Sequence, residues 1–290
     1  MRPPGYAPAW DGLADAYYNQ IDLGLTTTDQ GLPLARAAVD KALANDPAYA
    51  PSYARAALIA AVDGDLAAAA LHLEQGSALD PANLEVINAA AAIARRLDRE
   101  QALALAEQVV ARDPVNSDGH VSVAYACWYM GRVDQALQEL SIVRALSPES
   151  GVYHEQAGEM LLLKGDTEAA LAEIRQETTE HWRLVGLSMA YHALGRKAES
   201  DVALDELIGK YGQLMAYSIA YVFAYRGEAD RAFEWLEKSV KTRDSGLPTM
   251  ASNPVLKSLH TDPRWLALLR RLGKAPEQLA AIKFDVKVPQ

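Results

Sequence analysis

Apolar residues in this chain fall in stretches of helical length that are dense in alanine, as in AALIAAVDGDLAAAALHLEQ (56–75). Alanine gives up no side-chain entropy in a helix and has the highest helix propensity, so these stretches predict helix. No run of β-branched residues alternates with polar ones, so no sheet is predicted. The helical stretches are regularly punctuated. Asp46-Pro47, Asp80-Pro81, Asp113-Pro114 and Ser147-Pro148 recur with steps of 34, 33 and 34 residues between prolines. Gly64 and Gly131 fall between them, and Gly165, Gly195 and Gly227 continue the series beyond. Proline cannot continue a helix, because it lacks the N–H and clashes with the preceding turn. Glycine ends one cheaply by entering the left-handed conformation. Each unit therefore reads as helix, Gly turn, helix, Pro turn, and a fixed step of this size marks a repeat architecture.

The pattern resembles the tetratricopeptide repeat, a 34-residue helix–turn–helix. That family's signature has a large residue at position 4, small ones at 8 and 20, a large or aromatic one at 11 and proline at 32. Here position 8 falls on Ala14, Ala57, Ala91, Ala124, Gly158, Ser188 and Ala220. Position 20 falls on Ala35, Ala69, Ala102, Ala136, Ala170, Ser200 and Ala232. Every one is small, as two closely crossing helices require. The resemblance implies an all-α fold, a right-handed α-solenoid of about seven repeats with a C-terminal capping helix. The expected division is a repeat array over 1–243, a capping segment over 244–274 and a flexible tail over 275–290.

Several departures from the pattern carry expectations of their own. Repeat one has about nine extra residues around LGLTTTDQGLPL (23–34), read as an extended loop between its helices. Repeat three has Asp98 where glycine is usual. Repeat five lacks its closing proline, and its second helix is expected to run through RQETTEHW (175–182), with a change of pitch there. At the carboxyl end, Asn253-Pro254 and Asp262-Pro263 each set a capping side chain before a proline in the first turn. The second begins a helix with Trp265, Leu266 and Leu269 on its apolar face, Arg264, Arg270 and Arg271 opposite, and Gly273 as its stop. At the amino end Trp10 takes position 4, so Pro4 would take position 32 of a preceding repeat. A chain shortened at that end is the favoured reading, and a native start the alternative. Residues 232–274 resemble the closing segment of tetratricopeptide arrays in bacterial signalling proteins. There a nucleotide cyclase, a CadC-like DNA-binding domain or a kinase precedes the array. None of those domains lies in this sequence.

Composition narrows the function. The formal net charge of −10 repels phosphate backbones, so nucleic acid is not an expected partner. The one cysteine, Cys127, can form neither an internal disulfide nor a metal site by itself, which fits a reducing, cytoplasmic setting. No stretch is long and apolar enough to span a membrane. No phosphate loop, dinucleotide fingerprint or zinc-protease motif occurs. His120 and His154 share position 4 of adjacent repeats, a packing site, and read as core histidines rather than a metal pair. No catalytic residue, metal or cofactor is expected, and the protein is not read as an enzyme.

The candidate site is the concave groove that first-helix positions 2, 5, 9, 12 and 13 line in this family. YACWYMGR (125–132) sets Tyr125, Trp128 and Tyr129 at positions 9, 12 and 13. Tyr18 takes position 12 of repeat one, and Tyr221 and Tyr225 take positions 9 and 13 of repeat seven. Arg95 and Arg96 supply a basic spot in repeat three; Glu155 and Glu159 supply acidic rungs in repeat five. The Lys/Asn/Arg clamp that some family members use for acidic peptide tails is absent. These ten residues are expected to grip a protein or peptide segment bearing apolar, aromatic or basic side chains. The expected function is a non-catalytic interaction scaffold or sensor of a bacterial signalling or transcription-regulatory protein. The alternatives are self-association through the uncapped first repeat (Trp10, Leu13, Tyr17), which would make a homo-oligomer, and a small-ligand sensor. Burial of the rings by a tight superhelix is the competing reading of the site.

Overall fold

The structure, a computed structural model, describes residues 6–98, 100–148 and 153–286. Among them the regular elements are helical and form seven successive pairs. The pairs are α1 (Ala7–Asp22) with α2 (Thr28–Asn45), α3 (Ala50–Val62) with α4 (Leu66–Leu79), and α5 (Leu84–Arg96) with α6 (Gln101–Arg112). They continue with α7 (Ser117–Tyr129) and α8 (Val133–Leu146), then α9 (Tyr153–Lys164) and α10 (Thr167–Ile174). The last two are α11 (Glu180–Ala193) with α12 (Lys197–Tyr211) and α13 (Ala216–Tyr225) with α14 (Ala229–Thr242). Two short 3-10 turns, Leu247–Thr249 and Pro254–Leu259, lead to α15 (Pro263–Arg271) and α16 (Pro276–Ala281). Consecutive helices pack in pairs, and the fold is the tetratricopeptide α-solenoid that the sequence predicts.

The small positions explain why the pairs close. The residues at positions 8 and 20 are buried in all seven hairpins, and most have no exposed surface. Repeat six, where both are serine, satisfies the hydroxyls across the crossing. Ser200 Oγ donates to the Ser188 carbonyl at 2.6 Å, and Ser188 Oγ donates to the Leu184 carbonyl at 2.7 Å. In repeats four and five a second device joins the two helices. His120 Nδ1 lies 2.6 Å from Glu139 Oε2, and His154 Nδ1 lies 2.8 Å from Glu173 Oε2, the same pairing at the same repeat positions. The two histidines are thus each tied to a carboxylate of their own repeat. Among the described residues no group of three or more His, Cys, Asp or Glu is placed to hold a metal ion. Asp98 has φ 54° and takes the left-handed conformation that glycine supplies in the other turns.

By its internal contacts the chain forms two compact units. Unit 1 comprises Met1–Pro114, Thr242–Ser252 and Leu266–Gln290; unit 2 comprises Val115–Lys241 and Asn253–Trp265. In unit 1 the later segments lie against the first three hairpins. Arg243 pairs with Asp29 at 3.2 Å and also with Asp63, and Lys283 Nζ reaches Glu74 at 3.3 Å. In unit 2 the 253–265 segment covers the last hairpin. Asn253 Nδ2 donates to Tyr217 Oη at 2.9 Å, Ser258 Oγ to the Ala224 carbonyl at 3.2 Å and Arg264 Nη1 to Asp230 at 2.9 Å. This differs from the expected array, cap and flexible tail. The tail carries α16, with Ala275 and Leu279 buried, because Pro276 starts a helix whose apolar side finds cover. Pro4 and residues 287–290 lie outside the described residues.

Three local expectations are corrected. The extra residues of repeat one are not a long loop: Thr27 caps α2 by accepting from the Gln30 N–H, and the helix runs from Thr28 through Pro33. Gly31 permits this, since a Cβ there would fall 2.5 Å from Ile21 Cγ1. The buried face of α15 is Trp265, Leu268 and Leu269, with Leu266 exposed, because the i, i+3, i+4 stripe starts at Trp265. Finally, α10 stops at Ile174, and 175–182 is a turn followed by the start of α11. Glu177 makes the break, its Oε1 accepting from the Thr179 N–H at 2.7 Å. Ile174 itself, fully buried, fits between two glycines. A Cβ on Gly186 of α11 would sit 2.8 Å from Ile174 Cγ2, and one on Gly158 of α9 would sit closer still to Cγ1.

That wedge is testable. Gly158→Ala overpacks the Ile174 contact and is expected to destabilise unit 2 by about 1–3 kcal/mol in denaturant melts. Gly209→Ala, at a helical site with nothing within 4 Å of the new methyl, is expected to be neutral or stabilising. Equal behaviour of the two variants would refute the wedge.

Candidate functional site

In unit 2 the first helices α7, α9 and α13 carry the predicted groove residues. Glu155 and Glu159 are four residues apart on α9 and so share one face. Tyr221 Oη, on α13, lies 3.4 Å from Glu155 Oε1 across 66 residues of sequence. Inner-face residues of hairpins five and seven therefore meet within this unit. The consequence is burial. Trp128 is 4% exposed, Tyr221 5%, Glu159 5% and Glu155 7%. The expectation that these four present an open gripping surface is corrected: the inner face of unit 2 curves tightly enough to enclose them. Tyr125, Tyr129 and Tyr225 keep intermediate exposure. The three rings of YACWYMGR form one cluster, with Trp128 centred 6.0 Å from Tyr125 and 5.4 Å edge-on from Tyr129. Tyr125 Oη accepts from Gln156 Nε2, which ties this cluster to α9. Cys127 behind them is a buried thiol.

The electrostatics of the enclosed face are one-sided. Burial, then the charge of Glu159, pushes the Glu155 carboxyl well above the ordinary carboxylate range, and Glu177 adds to it. Glu159 is raised by burial, against the easing influence of Glu155 and Tyr221 beside it. The Tyr221 phenol is pushed well up by burial and by both carboxyls. Glu159 Oε1 and Glu177 Oε2 are buried without a hydrogen-bond partner among the described residues. No guanidinium or ammonium is among the main influences on either Glu155 or Glu159. Chemically, a buried acidic pair beside a tyrosine can accept a cation or hold a proton.

Unit 1 holds the other predicted residues. Tyr18 and Arg96 are buried close to one another, while Arg95 is half-buried. Burial, then the charge of Asp22, pushes the Tyr18 phenol up to about 12. Arg55, paired with Asp15 at 2.5 Å, stands 5.9 Å over the Tyr18 ring. Asp11 is buried, and burial raises its carboxyl against the pull of Arg55. This face mixes both signs, so the basic spot read from Arg95 and Arg96 alone was incomplete. Sequence reasoning missed Asp22, Arg55, Glu177 and Lys274. Arg55 and Asp22 lie outside the family's groove positions, Glu177 fell in a stretch read as helix, and Lys274 follows a helix stop with no pattern to mark it. At the amino edge Trp10 is half-buried with Lys41 Nζ 4.3 Å over its ring, and Leu13 is exposed.

No known family model matches the sequence, and no curated protein matches it either. Solved structures do share the fold. PilW, described as a widely conserved type IV pilus biogenesis factor, aligns with a TM-score of 0.56 and 18% identity, over 71% of this chain and 94% of that one. The human IFIT1 dimer with PPP-AAAA aligns with a TM-score of 0.61 and 15% identity, over 82% of this chain and 64% of that one. A tetratricopeptide repeat protein from Parabacteroides merdae aligns at 0.47 and 16% identity, over 79% and 91%, too loosely to argue from. At these identities the likeness is one of fold.

Two measurements probe the site. Trp128→Ala deletes a buried indole and is expected to cost about 3–5 kcal/mol of stability; an unchanged melt would mean that the ring is not core. The second concerns pH. The native carboxyls at 155 and 159 hold protons that the unfolded chain has released once pH passes the ordinary carboxylate range. Stability is therefore greatest at low pH for this pair and falls as pH climbs toward the raised native values. Glu155→Gln is expected to flatten that fall and to exceed wild type at pH 8 by roughly 1 kcal/mol or more. Parallel pH–stability curves for variant and wild type would contradict the assignment.

Proposed function

We propose that this chain is a non-catalytic protein-interaction scaffold. Its unit 2 packs the apolar groups of a partner segment on the half-buried Tyr125, Tyr129 and Tyr225, and a basic side chain of that segment would enter the enclosed face to reach the buried Glu155 and Glu159. The observation that carries this reading is the buried carboxyl pair, which lacks a cationic neighbour among its main influences and lies beside Tyr221. An incoming ammonium or guanidinium would relieve its desolvation, and tyrosine supplies large contact area with a polar tip. The solenoid fold supports the reading as the kind of scaffold on which peptide grooves are built. A signalling context and a cytoplasmic location belong to the proposal and rest on the sequence, through residues 232–274 and the single cysteine. Among the described residues no helix is long and apolar enough to cross a membrane. The PPP-AAAA of the IFIT1 structure is not carried over, because a net charge of −10 opposes a phosphate chain.

Panning a displayed random-peptide library tests the idea. Enrichment of sequences pairing Lys or Arg with apolar residues is expected. Their affinity should fall about tenfold or more in the Tyr125→Ala/Tyr129→Ala/Tyr225→Ala protein and in Glu155→Gln/Glu159→Gln. Enriched peptides that bind all three proteins alike would overturn it.

A further inference from the structure

We propose that unit 1 contains a binding site for an oxyanion, carboxylate or phosphate in type, with Lys274 and Arg96 as its donors. Lys274 is 4% exposed and its Nζ has no hydrogen-bond partner among the described residues. Lysine is almost never fully buried unless paired, since a long flexible stem normally carries the ammonium out to water. Here the backbone holds it in. Gly273 turns the chain at φ 70°, the Lys274 N–H donates to the Leu269 carbonyl at 2.8 Å, and buried Ala275 follows. Arg96 is 8% exposed; its Nη1 donates to the Ala92 carbonyl at 3.2 Å, and its Nε is buried with no partner.

The two cations act on each other. Burial, and then the Arg96 guanidinium, hold the Lys274 ammonium down to about 8. No carboxylate is among the main influences on Lys274. The acid at hand is Asp22, which feels Arg96 and Arg95. Asp22 is exposed to solvent, yet surrounding protein crowds it enough to raise its carboxyl. The exposed Asp22 marks the side from which a ligand would reach the guanidinium. An oxyanion there would pair the two buried cations and accept from donors that otherwise have none.

The experiment titrates inorganic phosphate and succinate separately into the full chain by calorimetry, against a chloride background of equal ionic strength. Saturable binding of either, one per chain, is expected, and which one binds names the source. Lys274→Met should keep the protein folded, since an apolar chain suits the buried site, and should weaken that binding about tenfold or more. Arg96→Lys should restore part of what Arg96→Gln loses. The proposal fails if neither anion binds saturably, or if Lys274→Met binds as well as wild type. The peptide reading of unit 2 is untouched by either failure.

Discussion

The inner face of unit 2 depends on how closely α9 and α11 approach, and Ile174 governs that approach. Its side chain occupies the space where two glycines, Gly158 and Gly186, forgo a Cβ. Any larger residue at either site would push a first helix outward. With the helices close, Glu155 on α9 comes within reach of Tyr221 two hairpins on. One aliphatic contact thereby sets the desolvation of a carboxyl pair to which it contributes no charge. Packing of this kind transmits strain because protein interiors are as dense as organic crystals and have little room to relax.

Much of the fold was legible because it rests on sterics that sequence states outright. Small residues at both crossing positions, Gly in the turns and Pro between hairpins admit few other arrangements. Even the exception proved consistent, with Asp98 adopting the left-handed turn at φ 54°. The candidate site was legible only as to face. A repeat position says which side of a helix a residue occupies; it does not say how sharply successive hairpins curve. Trp128, Glu155 and Tyr221 were read as inner-side residues from their repeat positions, and those positions gave no sign that all three are buried. Lys274 was beyond reach for another reason: its partners come from a hairpin nearly two hundred residues earlier, and no periodic signal links them.

The two units solve opposite electrostatic problems. Unit 2 encloses acids, and burial raises both carboxyls of the pair. Unit 1 encloses bases, and there burial and the Arg96 guanidinium hold the Lys274 ammonium down. In each case burial raises the free energy of a group whose relief lies in a partner of the other sign. A fold made almost wholly of alanine crossings can carry such groups because its stability is spread over many equivalent contacts.

The histidine–glutamate pairs of hairpins four and five have a different bearing. Each ties the two helices of a single repeat, His120 to Glu139 and His154 to Glu173. In a one-dimensional stack, cohesion within a repeat and adhesion between repeats are separate quantities. Strengthening the first without the second makes each hairpin a self-contained opening unit. Amide exchange in this stretch would then proceed by whole hairpins lifting away, and not by single helices fraying from their ends.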